Sequence, residues 1–286
     1  MAFLTAGQIS RLAVAILSRR LVLPMTVSRV PGEEFRGDNG DTVTIRVPEA
    51  RTAQIQSTPG DSITPQAINE DSADVTVVQL FDAASITDHD LSLGIRDFGR
   101  QVLRPQADAV ARGCEDQLAD TINDLAADAS FAASADEQDT KDQILFARET
   151  LTDADVPPDG RFFGVSPQIA TRVIAHPDFS RVNTSGSTRT LRRGEIGELY
   201  GFRFVESNGF TGGEAAAYHE SAFGFATFPT EDQEAVESSV VTEQGLSIRW
   251  LRQWNPSRLQ QESVLTAFAG AGVVDLDRVV KFDTSV

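Results

Sequence analysis

The sequence predicts an α+β fold organised around one long helix, because helix-type and strand-type hydrophobic periodicities alternate along the chain. From Ile95 to Ala129, apolar residues recur mainly at spacings of three and four, which places them on one stripe of a helix. This pattern is much longer than the ~11–12 residues of an average globular helix. From Val43 to Val47, apolar and polar residues alternate, which is typical of a half-buried strand. We therefore expect a helix that lies across the structure rather than inside a compact bundle.

Two residues interrupt the long helical pattern. Pro105 lacks an amide hydrogen and crowds the preceding turn, which predicts a bend or a new helix start near Arg104. Gly113 weakens the helix by roughly 1 kcal/mol relative to alanine. Charges of alternating sign follow one flank at four-residue intervals and support the helix; they are Arg104, Asp108, Arg112 and Asp116.

The residues before the long helix predict an arm and then two strands. Met1–Val30 forms an amphipathic arm, helical around Ile9–Leu17, whose apolar run is split by Arg19 and Arg20. Neither half of that run approaches the ~20 residues that a membrane-spanning helix needs. Met1–Ser10 also carries no lysine or arginine, unlike the start of a signal peptide. The sequence therefore predicts a protein that is soluble and intracellular when it is made.

The two predicted strands lie far apart in sequence. The first covers 43–47 and ends at Pro48, and the second covers Val75–Phe81. Arg51–Asp74 between them is polar and irregular, and it exceeds the normal loop length. Such a segment has too little core to be stable alone, so we expect it to gain order on another subunit. Thr87 or Asp88 is the expected cap of the helix that follows.

The second half of the chain predicts short helices and strands separated by turn residues. An Ala/Ser/Asp-rich linker follows Ser130, and no internal repeat is present. The predicted elements are a helix over Thr140–Leu151, a buried strand over Arg161–Val165, a helix from Ser166-Pro167 to about His176, a loop over Phe179–Leu191, a strand over Phe202–Val205, a glycine-rich turn over Asn208–Glu214, a strand over Ala222–Phe228, a long hairpin of Gly245–Trp254 with Arg258–Phe268, and a last strand over Val273–Phe282.

The composition restricts the possible functions. The net charge is −17, with 42 acidic and 25 basic residues, which argues against direct nucleic-acid binding. An acidic surface could still lie beside packed nucleic acid without sticking to it. Cys114 is the single cysteine, so an intrachain disulfide or a thiolate metal cluster is excluded. Lys141 and Lys281 are the only lysines among the 25 basic residues.

No motif in the sequence predicts catalysis. His89, His176 and His219 are far apart in sequence, and none has a partner at zinc-ligand spacing. A structural role explains each of them better: His89 lies at a helix start, His176 at a helix end and His219 beside a strand. The acidic residues are spread along the chain, so no pair stands out for acid–base chemistry.

Four short motifs also have structural explanations. Gly164-Val165-Ser166 lacks the second glycine of a nucleophile elbow and is better explained as a helix cap. Gly209–Gly213 is not followed by the lysine of a phosphate loop. Arg36-Gly37-Asp38 is explained by a turn, and the oxygen ligands Asp38, Asn39 and Asp41 are too sparse for a calcium loop. We therefore assign no catalytic, cofactor-binding or metal residue and predict no enzyme, which favours a self-assembling subunit.

The order of parts resembles the major capsid proteins of tailed bacteriophages, which have the Hong Kong 97 fold, and most of all the podophage coat-protein-like branch without its large inserted domain. The likeness covers nearly the whole chain, and its ordered series is more specific than any single motif. The stretches that carry it are GDTVTIRVP (40–48), SITDHDLSL (85–93), VLRPQADAVARGCEDQLA (102–119), RFFGVSPQIATRVI (161–174), GEIGELYGFRFVESNGF (194–210) and YHESAFGFA (218–226).

The resemblance implies a subunit of six segments. They are an N-terminal arm (1–34), an extended loop (35–86), a spine helix with peripheral domain (87–159), an axial domain (160–232), a peripheral-domain hairpin (233–272) and a C-terminal strand that returns to the axial domain (273–286). The implied function is a major capsid protein that self-assembles into hexamers and pentamers of an icosahedral shell around double-stranded DNA. The virion capsid, assembled in the host bacterial cytoplasm, is the implied location, with no membrane and no cofactor.

The resemblance also implies partners, and two departures from it matter. Some members of the fold cross-link a lysine of the extended loop to a neighbour, but residues 35–86 contain no lysine. We therefore expect non-covalent locking, with a possible decoration or cement protein. Some members carry a long N-terminal scaffolding region, whereas this chain starts almost directly at the arm, so we expect a separate scaffolding protein. A portal is a further implied partner, and packaged DNA is expected only in non-specific proximity.

Three alternatives remain open at this point. An encapsulin-type nanocompartment shares the fold but encloses enzymes. A soluble hydrolase with an unrecognised site and a monomeric binding module belong to other classes. The arginine-rich stretch of Arg189, Arg192 and Arg193 could pair with Glu195 or Glu198 within a subunit or across an interface, or it could be a solvated loop.

Overall fold

A computed structural model describes most of the chain and shows four α-helices and fourteen strands in its described part. The residues described are 6–30, 42–48, 53–56, 70–87, 89–90, 98–132, 137–175, 197–228, 237–243 and 246–285, with isolated positions between 58 and 67. The α-helices are α1 (Ala6–Arg20), α2 (Arg104–Asn123), α3 (Glu137–Asp153) and α4 (Pro167–Ala175). Shorter helical turns are Leu23–Met25, Gly99–Leu103 and Leu276–Arg278.

The strands form two six-stranded sheets and one two-stranded hairpin. The first sheet contains β1 (Ser28–Val30), β4 (Val78–Thr87), β10 (Phe223–Phe228), β11 (Glu237–Glu243), β12 (Leu246–Asn255) and β13 (Gln260–Val273). The second, in spatial order, contains β5 (Ala129–Ala132), β14 (Val279–Ser285), β9 (Ala215–His219), β6 (Arg161–Val165), β8 (Phe202–Glu206) and β7 (Glu198–Leu199). The hairpin pairs β2 (Thr42–Pro48) with β3 (Glu70–Thr76).

The long strand β13 organises the first sheet. Residues 260–266 pair with β12 and also with β4, so these two strands lie on opposite edges of β13. Residues 268 and 269 pair with β10 and with β4, so β10 follows β12 along the same edge. β1 pairs in parallel with the outer edge of β10, which joins the arm to the sheet.

The two faces of the first sheet are covered by different elements. Leu265, Ala267 and Ala269 of β13 point to the face on which α1 and α2 pack, and with them they form the largest core. Phe268 points to the opposite face, where it packs with Ala226 and Phe228 against the β2–β3 hairpin. This alternation follows from the two-residue period of strand side chains. The helices and the hairpin therefore lie on opposite sides of the sheet.

The spine helix changes its hydrogen-bond pattern at the predicted place. Gly99–Leu103 is a π-helical turn in which the backbone N–H of Arg104 donates to the carbonyl of Gly99, and α2 starts at Arg104 with Pro105 in its first positions. Pro105 cannot donate the next bond of an uninterrupted helix, and the wider turn accommodates that loss. The α-helical pattern begins at Arg104, near the predicted place, but helical backbone continues through the π-helical turn from Phe98, so the spine changes its hydrogen-bond pattern without breaking. Helix α2 ends at Asn123 rather than at Ala129.

One face of the second sheet carries a separate core that is rich in aromatic side chains. Its strands contribute Phe163, Phe202, Phe204 and Phe282, and α3 and α4 pack on them with Ile144, Leu151, Ile169 and Val173. The five residues of β9 are all buried. Strands β6 and β8 are parallel, which requires a connection over the sheet, and α4 begins that connection.

The β2–β3 hairpin contacts the rest of the described subunit at its base. Val43 and Val75 are buried against Ala226 and Phe228. Gly270 of β13 lies so close to β3 that an added Cβ would collide with the carbonyl oxygen of Thr76. The glycine is therefore needed for β3 to cross the sheet in contact with its backbone. Farther out, Thr44, Arg46, Ser72 and Asp74 are exposed.

Several predicted elements match the structure closely. The strand Arg161–Val165 is confirmed to the residue, and the arm helix, the helix over 140–151, the strand over 202–205 and the hairpin around residues 255–259 are confirmed with small shifts of their ends. Thr87 acts as the expected cap, because its Oγ1 accepts a hydrogen bond from the N–H of Asp90. His176 and Phe179–Leu191 lie outside the described residues.

Other predictions were wrong. The supposed linker after Ser130 begins as β5, which pairs in parallel with β14. The last strand starts at Val279, since Leu276–Arg278 is a helical turn. Strands β1, β7, β9 and β11 were missed, and residues 70–74 of the supposedly irregular segment Arg51–Asp74 belong to β3. β9 contains three alanines, which have a low strand propensity, and its complete burial between β6 and β14 overrides that propensity.

Strand pairing and packing place three further elements. Strand β5 and helix α3 pack on the second sheet and its aromatic core. Strand β10 pairs with β13 in the first sheet. The chain passes from the second sheet to the first in the turn between β9 and β10. Among the residues that the structure describes, no helix combines the length and apolar character needed to cross a bilayer.

Candidate functional site

The histidines are not brought together in the described structure. His89 is exposed at a helix start, His176 lies outside the described residues, and His219 is buried at the end of β9. Nδ1 of His219 accepts from the N–H of Ser221, and Nε2 lies 3.0 Å from the carbonyl oxygen of Asp159, to which it can donate. Burial lowers the pKa of His219. This neutral side chain joins the β9–β10 turn to the loop before β6.

The segment around His219 connects the two sheets. Arg278 donates from one guanidinium nitrogen to Ser221 Oγ and from Nε to Asp275 Oδ2, over 2.6 and 2.7 Å. The backbone N–H groups of Val274 and Asp275 donate to the carbonyl of Ala222. These contacts join two of the places where the chain passes between the sheets, the β9–β10 turn and the β13–β14 connection. The residues around His219 and Arg278 therefore form a structural junction between the two sheets.

The supposed nucleophile motif is part of a packed strand end. An added Cβ at Gly164 would lie 2.8 Å from the Phe210 ring, so this glycine makes room for an aromatic contact. Ser166 precedes α4 as predicted, and its carbonyl oxygen accepts from the N–H of Ala170. Its side-chain oxygen is buried and makes no hydrogen bond within the described chain, so the side-chain cap expected there is wrong.

The glycine-rich turn over 208–214 packs against its neighbours. Asn123 at the end of α2 donates to the carbonyl oxygen of Gly209, and Thr284 of β14 donates to that of Gly212. The turn therefore joins the spine helix to the edge of the second sheet. Arg36-Gly37-Asp38, Asn39, Asp41, Arg189, Arg192, Arg193 and Glu195 lie outside the described residues, and Glu198 is exposed on β7.

The described part of the chain contains no cluster of side chains suited to thiol, lysine or metal chemistry. Cys114 is buried in α2, and burial raises the pKa of its thiol to about 12, so it remains a thiol at neutral pH. The Lys281 ammonium is buried 3.2 Å from the Glu214 carboxylate. Lys141 lies over the ring of Tyr200. Within the described residues, no group of three or more His, Cys, Asp or Glu side chains could hold a metal ion.

Glu115 holds the arm on the spine. Its carboxylate accepts from the backbone N–H groups of Val22 and Leu23, over 2.9 and 3.1 Å, and from Ser207 Oγ over 2.8 Å. One side chain of α2 therefore fixes the turn after α1 and the end of β8 together. Hydrogen bonds to a charged group are among the stronger ones in proteins. A groove of about 650 Å³ opens beside it, lined partly by Asp108, Asp116 and Glu206.

A buried polar network fixes the start of the spine on the first sheet. Gln106 donates to the carbonyl oxygens of Asp82 and Ser263, and its own side-chain oxygen accepts from Ser263 Oγ. Ser263 Oγ in turn accepts from Nε1 of Trp250 over 2.9 Å. Every polar side-chain atom in this chain of contacts has a partner, so the network sets the position of α2 across β4, β12 and β13 without leaving an unpaired group.

The uncovered face of the first sheet is the candidate assembly surface. Val240, Leu251, Val264 and Phe81 share the face opposite the helices, as their cross-strand partners show. We call this group the open face. Phe81 is 68% exposed, and the three aliphatic residues are partly exposed. In the part of the chain that is described, the β2–β3 hairpin covers only the neighbouring region around Phe228. An apolar sheet face of this kind indicates a protein contact.

Sequence reasoning missed most of these residues. Glu115 and Gln106 belong to the polar flank of the helical pattern, and nothing in their spacing shows which backbone groups they meet. Gly270 and Gly272 carried a possible signal, because two glycines at a two-residue interval inside a strand indicate close approach of another backbone. Phe81 was recognised as the end of an extended segment, but its exposure depends on which face of the sheet is covered.

Comparisons with known proteins agree with this architecture. The family model described as phage capsid protein matches residues 105–283, which is more than half of the chain. A solved chain of Mycobacterium phage Che8 is 23% identical, with 85% of each chain covered and a TM-score of 0.57. A capsid chain of cyanophage P-SCSP1u is 14% identical over 91% of this chain and 86% of that one, with a TM-score of 0.64.

The fold likeness extends beyond phages. A virus-like particle from Pyrococcus furiosus is 7% identical over 96% of this chain and 97% of that one, with a TM-score of 0.60. No curated protein matches the chain. With the spine helix, the two sheets and the extended hairpin in place, the family match shows that the chain belongs to the phage capsid protein family, as a major capsid protein with the Hong Kong 97 fold.

Proposed function

We propose that this chain assembles into hexamers and pentamers that close an icosahedral shell around phage double-stranded DNA, in the cytoplasm of a bacterial host. The observation that carries the proposal is the β2–β3 hairpin. It is anchored on the first sheet at its base, while the residues farther out are exposed or half-buried in the isolated subunit. A hairpin of two strands is marginally stable by itself, so it gains stability by packing on a second copy.

The open face of a neighbouring subunit is the surface we propose for this contact. The hairpin presents Ile45 and Ala73 on the same side as its buried base residues, because they are cross-strand partners two residues away. That side is apolar and half-buried at these positions. The open face offers Phe81, Leu251 and Val264 as complementary apolar surface. Ile55, which is 90% exposed between the two strands, extends the same contact.

The division into domains follows the two cores. We propose a peripheral domain built on the first sheet with α1 and α2, and an axial domain built on the second sheet with α3 and α4. Strand β10 then belongs to the peripheral domain, and β5 and α3 belong to the axial domain. The proposal keeps the arm, the extended loop and the returning C-terminal strand as separate segments.

Non-covalent contacts lock the shell in this proposal. Residues 35–86 contain no lysine. Lys281 is buried beside Glu214, and Lys141 lies on the axial helix α3. No lysine is therefore placed on the extended loop to form an amide with a neighbour. A denaturing gel of mature particles is expected to show a single band at the mass of one chain, and a ladder of multiples would contradict this part of the proposal.

Other partners follow from the proposed role in a virion. We propose a portal, a separate scaffolding protein and, as an optional addition, a decoration or cement protein. An encapsulin-type compartment that shares the fold is the alternative. The phage capsid family match favours the virion. Particles that carry a portal and DNA are expected, and particles that carry a cargo enzyme would favour the alternative.

Electron microscopy of the purified full-length chain tests the central claim. We expect closed shells with five-fold and six-fold capsomers. Phe81→Glu places a charge on the open face and is expected to reduce shell yield strongly while leaving the subunit folded. Leu276→Glu is the matched control, because Leu276 is similarly exposed, at 63%, but lies on the turn before β14. Equal yields of shells from Phe81→Glu and wild type would contradict the proposed docking surface.

A further inference from the structure

The helices of the first core carry a charge opposite to that of the whole protein. The chain has a net charge of −17. Helix α1 nevertheless contains three arginines and no acidic residue, and residues 98–112 contain three arginines and one aspartate. The rest of the spine helix reverses this balance, since Glu115, Asp116, Asp120 and Asp124 follow without a basic residue. Positive charge is therefore concentrated on α1 and the first half of the spine.

Four of these arginines lie on one surface of the subunit. The turn after α1 is bound by Glu115, and α1 also contacts the π-helical turn at the start of the spine, so the two helices run side by side in the same direction. Their buried sides face the first sheet. Arg11, Arg100, Arg104 and Arg112 are all exposed on the other side. We call this group the arginine surface.

The helix dipole does not explain the charges at the start of the spine. A helix favours acidic residues in its first turns and basic residues in its last turns, because of the partial charges at its ends. The spine has the opposite distribution, with no acidic residue in the first turn of α2 and no basic residue in the last. Arg104 therefore lies where it is slightly unfavourable to the isolated helix, whereas Arg112 shares its flank with Asp108 and Asp116. An external anion would stabilise the positive start of the spine.

The arginine surface and the extended hairpin lie on opposite faces of the first sheet. The hairpin packs on the face of Phe268, and the helices pack on the face of Leu265. In a shell whose subunits are joined through the hairpin and the open face, the helical side is free for another contact. The planar guanidinium group matches the geometry of phosphate and of carboxylate, and phosphate is the anion that packaged DNA supplies.

We propose that the arginine surface forms the inner wall of the shell and binds the phosphate backbone of packaged double-stranded DNA without sequence preference. The proposal rests on the proposed function as a shell protein and goes beyond it. It modifies the expectation, drawn from overall charge, that DNA is only close to the wall. The acidic remainder of the chain limits the contact to this surface, so the DNA is held at discrete points and stays mobile elsewhere.

Site-specific photo-cross-linking in DNA-filled particles tests the proposal. The photoreactive residue p-benzoylphenylalanine replaces Leu12, which is 42% exposed beside Arg11, or in the control Phe81 on the opposite face. Irradiation is expected to give protein–DNA adducts from position 12 and capsid–capsid adducts from position 81. Adducts with DNA from position 81 alone, or from both positions equally, would overturn the assignment of the inner wall.

The two readouts separate this proposal from the proposed function. Failure to form any particle, or absence of capsid–capsid adducts from position 81, contradicts the assembly proposal. Normal particles whose position 12 gives no DNA adducts contradict only the DNA contact. Adducts between position 12 and a scaffolding protein in immature particles, without later DNA adducts, identify an acidic protein as the partner and overturn the proposal.

A charge-neutralising variant gives a second measurement. The full-length unassembled chain with Arg100→Gln and Arg104→Gln is titrated with a short DNA duplex at several salt concentrations. Each lost phosphate contact is expected to reduce the slope of log affinity against log salt by about 0.9. The control pair Arg203→Gln and Arg258→Gln removes two exposed arginines of β8 and of the β12–β13 turn. Equal slopes for both pairs and the wild type would contradict specific use of the arginine surface.

Discussion

The two cores of the subunit are built in different ways. In the core of the second sheet, the Phe163 ring lies 5.5, 5.1 and 5.7 Å from the rings of Phe202, Phe204 and Phe282. Helices α3 and α4 add aliphatic side chains to this cluster. Such a core is stabilised by burial and by ring packing.

The peripheral core depends on directed contacts and covers only one face of its sheet. Glu115 fixes the arm, the network of Gln106 fixes the spine, and Gly270 lets the hairpin cross β13. The opposite face keeps Phe81 exposed. The difference shows how one chain can have a well-packed core and still leave an apolar sheet face exposed for contact with another chain. The core of the second sheet is closed by aromatic packing, and the core of the first sheet positions the parts that we propose to meet other subunits.

The largest loss of folding stability is expected from a substitution in the aromatic core of the second sheet. Phe163→Ala removes a fully buried ring and leaves a cavity among three others, which should lower the free energy of unfolding by about 3–5 kcal/mol. Urea unfolding of the unassembled chain measures it. Phe146→Ala is the matched control, because Phe146 on α3 is 41% exposed and should cost much less. Equal losses for the two variants would show that the aromatic cluster is not the main support of this domain.

The second effect tests the crossing of the hairpin over the peripheral sheet. Gly270→Ala forces the backbone of β3 away from β13, and overpacking of this kind costs about 1–3 kcal/mol. Loss of shells by electron microscopy should accompany the loss of stability. Gly212→Ala is the control, since an added Cβ there meets no atom within 4 Å. A Gly270→Ala subunit with wild-type stability and normal shells would contradict the close crossing.

The same comparison explains what the sequence could predict. The axial strand Arg161–Val165 and helix α4 were found because the burial pattern, the proline and the helix start all agree locally. The long spine and its new start near Arg104 also follow from local rules, since the proline acts on its own turn. These elements depend on interactions between residues that are close in sequence, so they can be predicted from one sequence without knowledge of long-range contacts.

The peripheral contacts could not be predicted in this way. Strand β11 lies between polar stretches and is a strand because it pairs with β12. Glu115 contacts Val22 and Ser207, each more than 90 residues away, and a lone acid in a helix does not show such partners. β5 is likewise a strand because β14 lies beside it. The Hong Kong 97 resemblance supplied the overall order of parts, while the pairing of each strand depends on residues far away in sequence.

The third prediction concerns the Glu115 carboxylate, whose hydrogen bonds hold the turn after α1 on the spine. Glu115→Gln replaces a carboxylate that accepts three hydrogen bonds by an amide with one acceptor oxygen, so a loss of about 1–2 kcal/mol is expected. Hydrogen exchange should also show faster opening of α1. Asp120→Asn is the control, because Asp120 is exposed on the same helix. Unchanged exchange in α1 after Glu115→Gln would show that apolar packing alone holds the arm.

The smallest predicted effect is on the pH dependence of folding stability, through His219 at the junction between the two sheets. The pKa of His219 is lowered in the fold, first by burial and then by the charges of Arg278 and Arg161, although the Asp159 carbonyl and Glu220 oppose this. Above the ordinary pKa of 6.5, the side chain is neutral in both the folded and the unfolded state, so its contribution is fully present. As the pH falls below 6.5, the unfolded chain binds the proton first, and stability is lost progressively toward the folded-state pKa.

Replacement of this histidine should therefore remove part of the acid sensitivity. His219→Gln is expected to lower stability at neutral pH, and its difference from wild type should shrink as the pH falls below 6.5, as measured by thermal unfolding across that range. His89→Gln, at an exposed helix start, serves as the control. A constant difference between His219→Gln and wild type at all pH values would mean that the histidine acts only through packing. A shrinking difference would instead show that the junction, where the closed axial core meets the open peripheral one, senses pH through one neutral side chain.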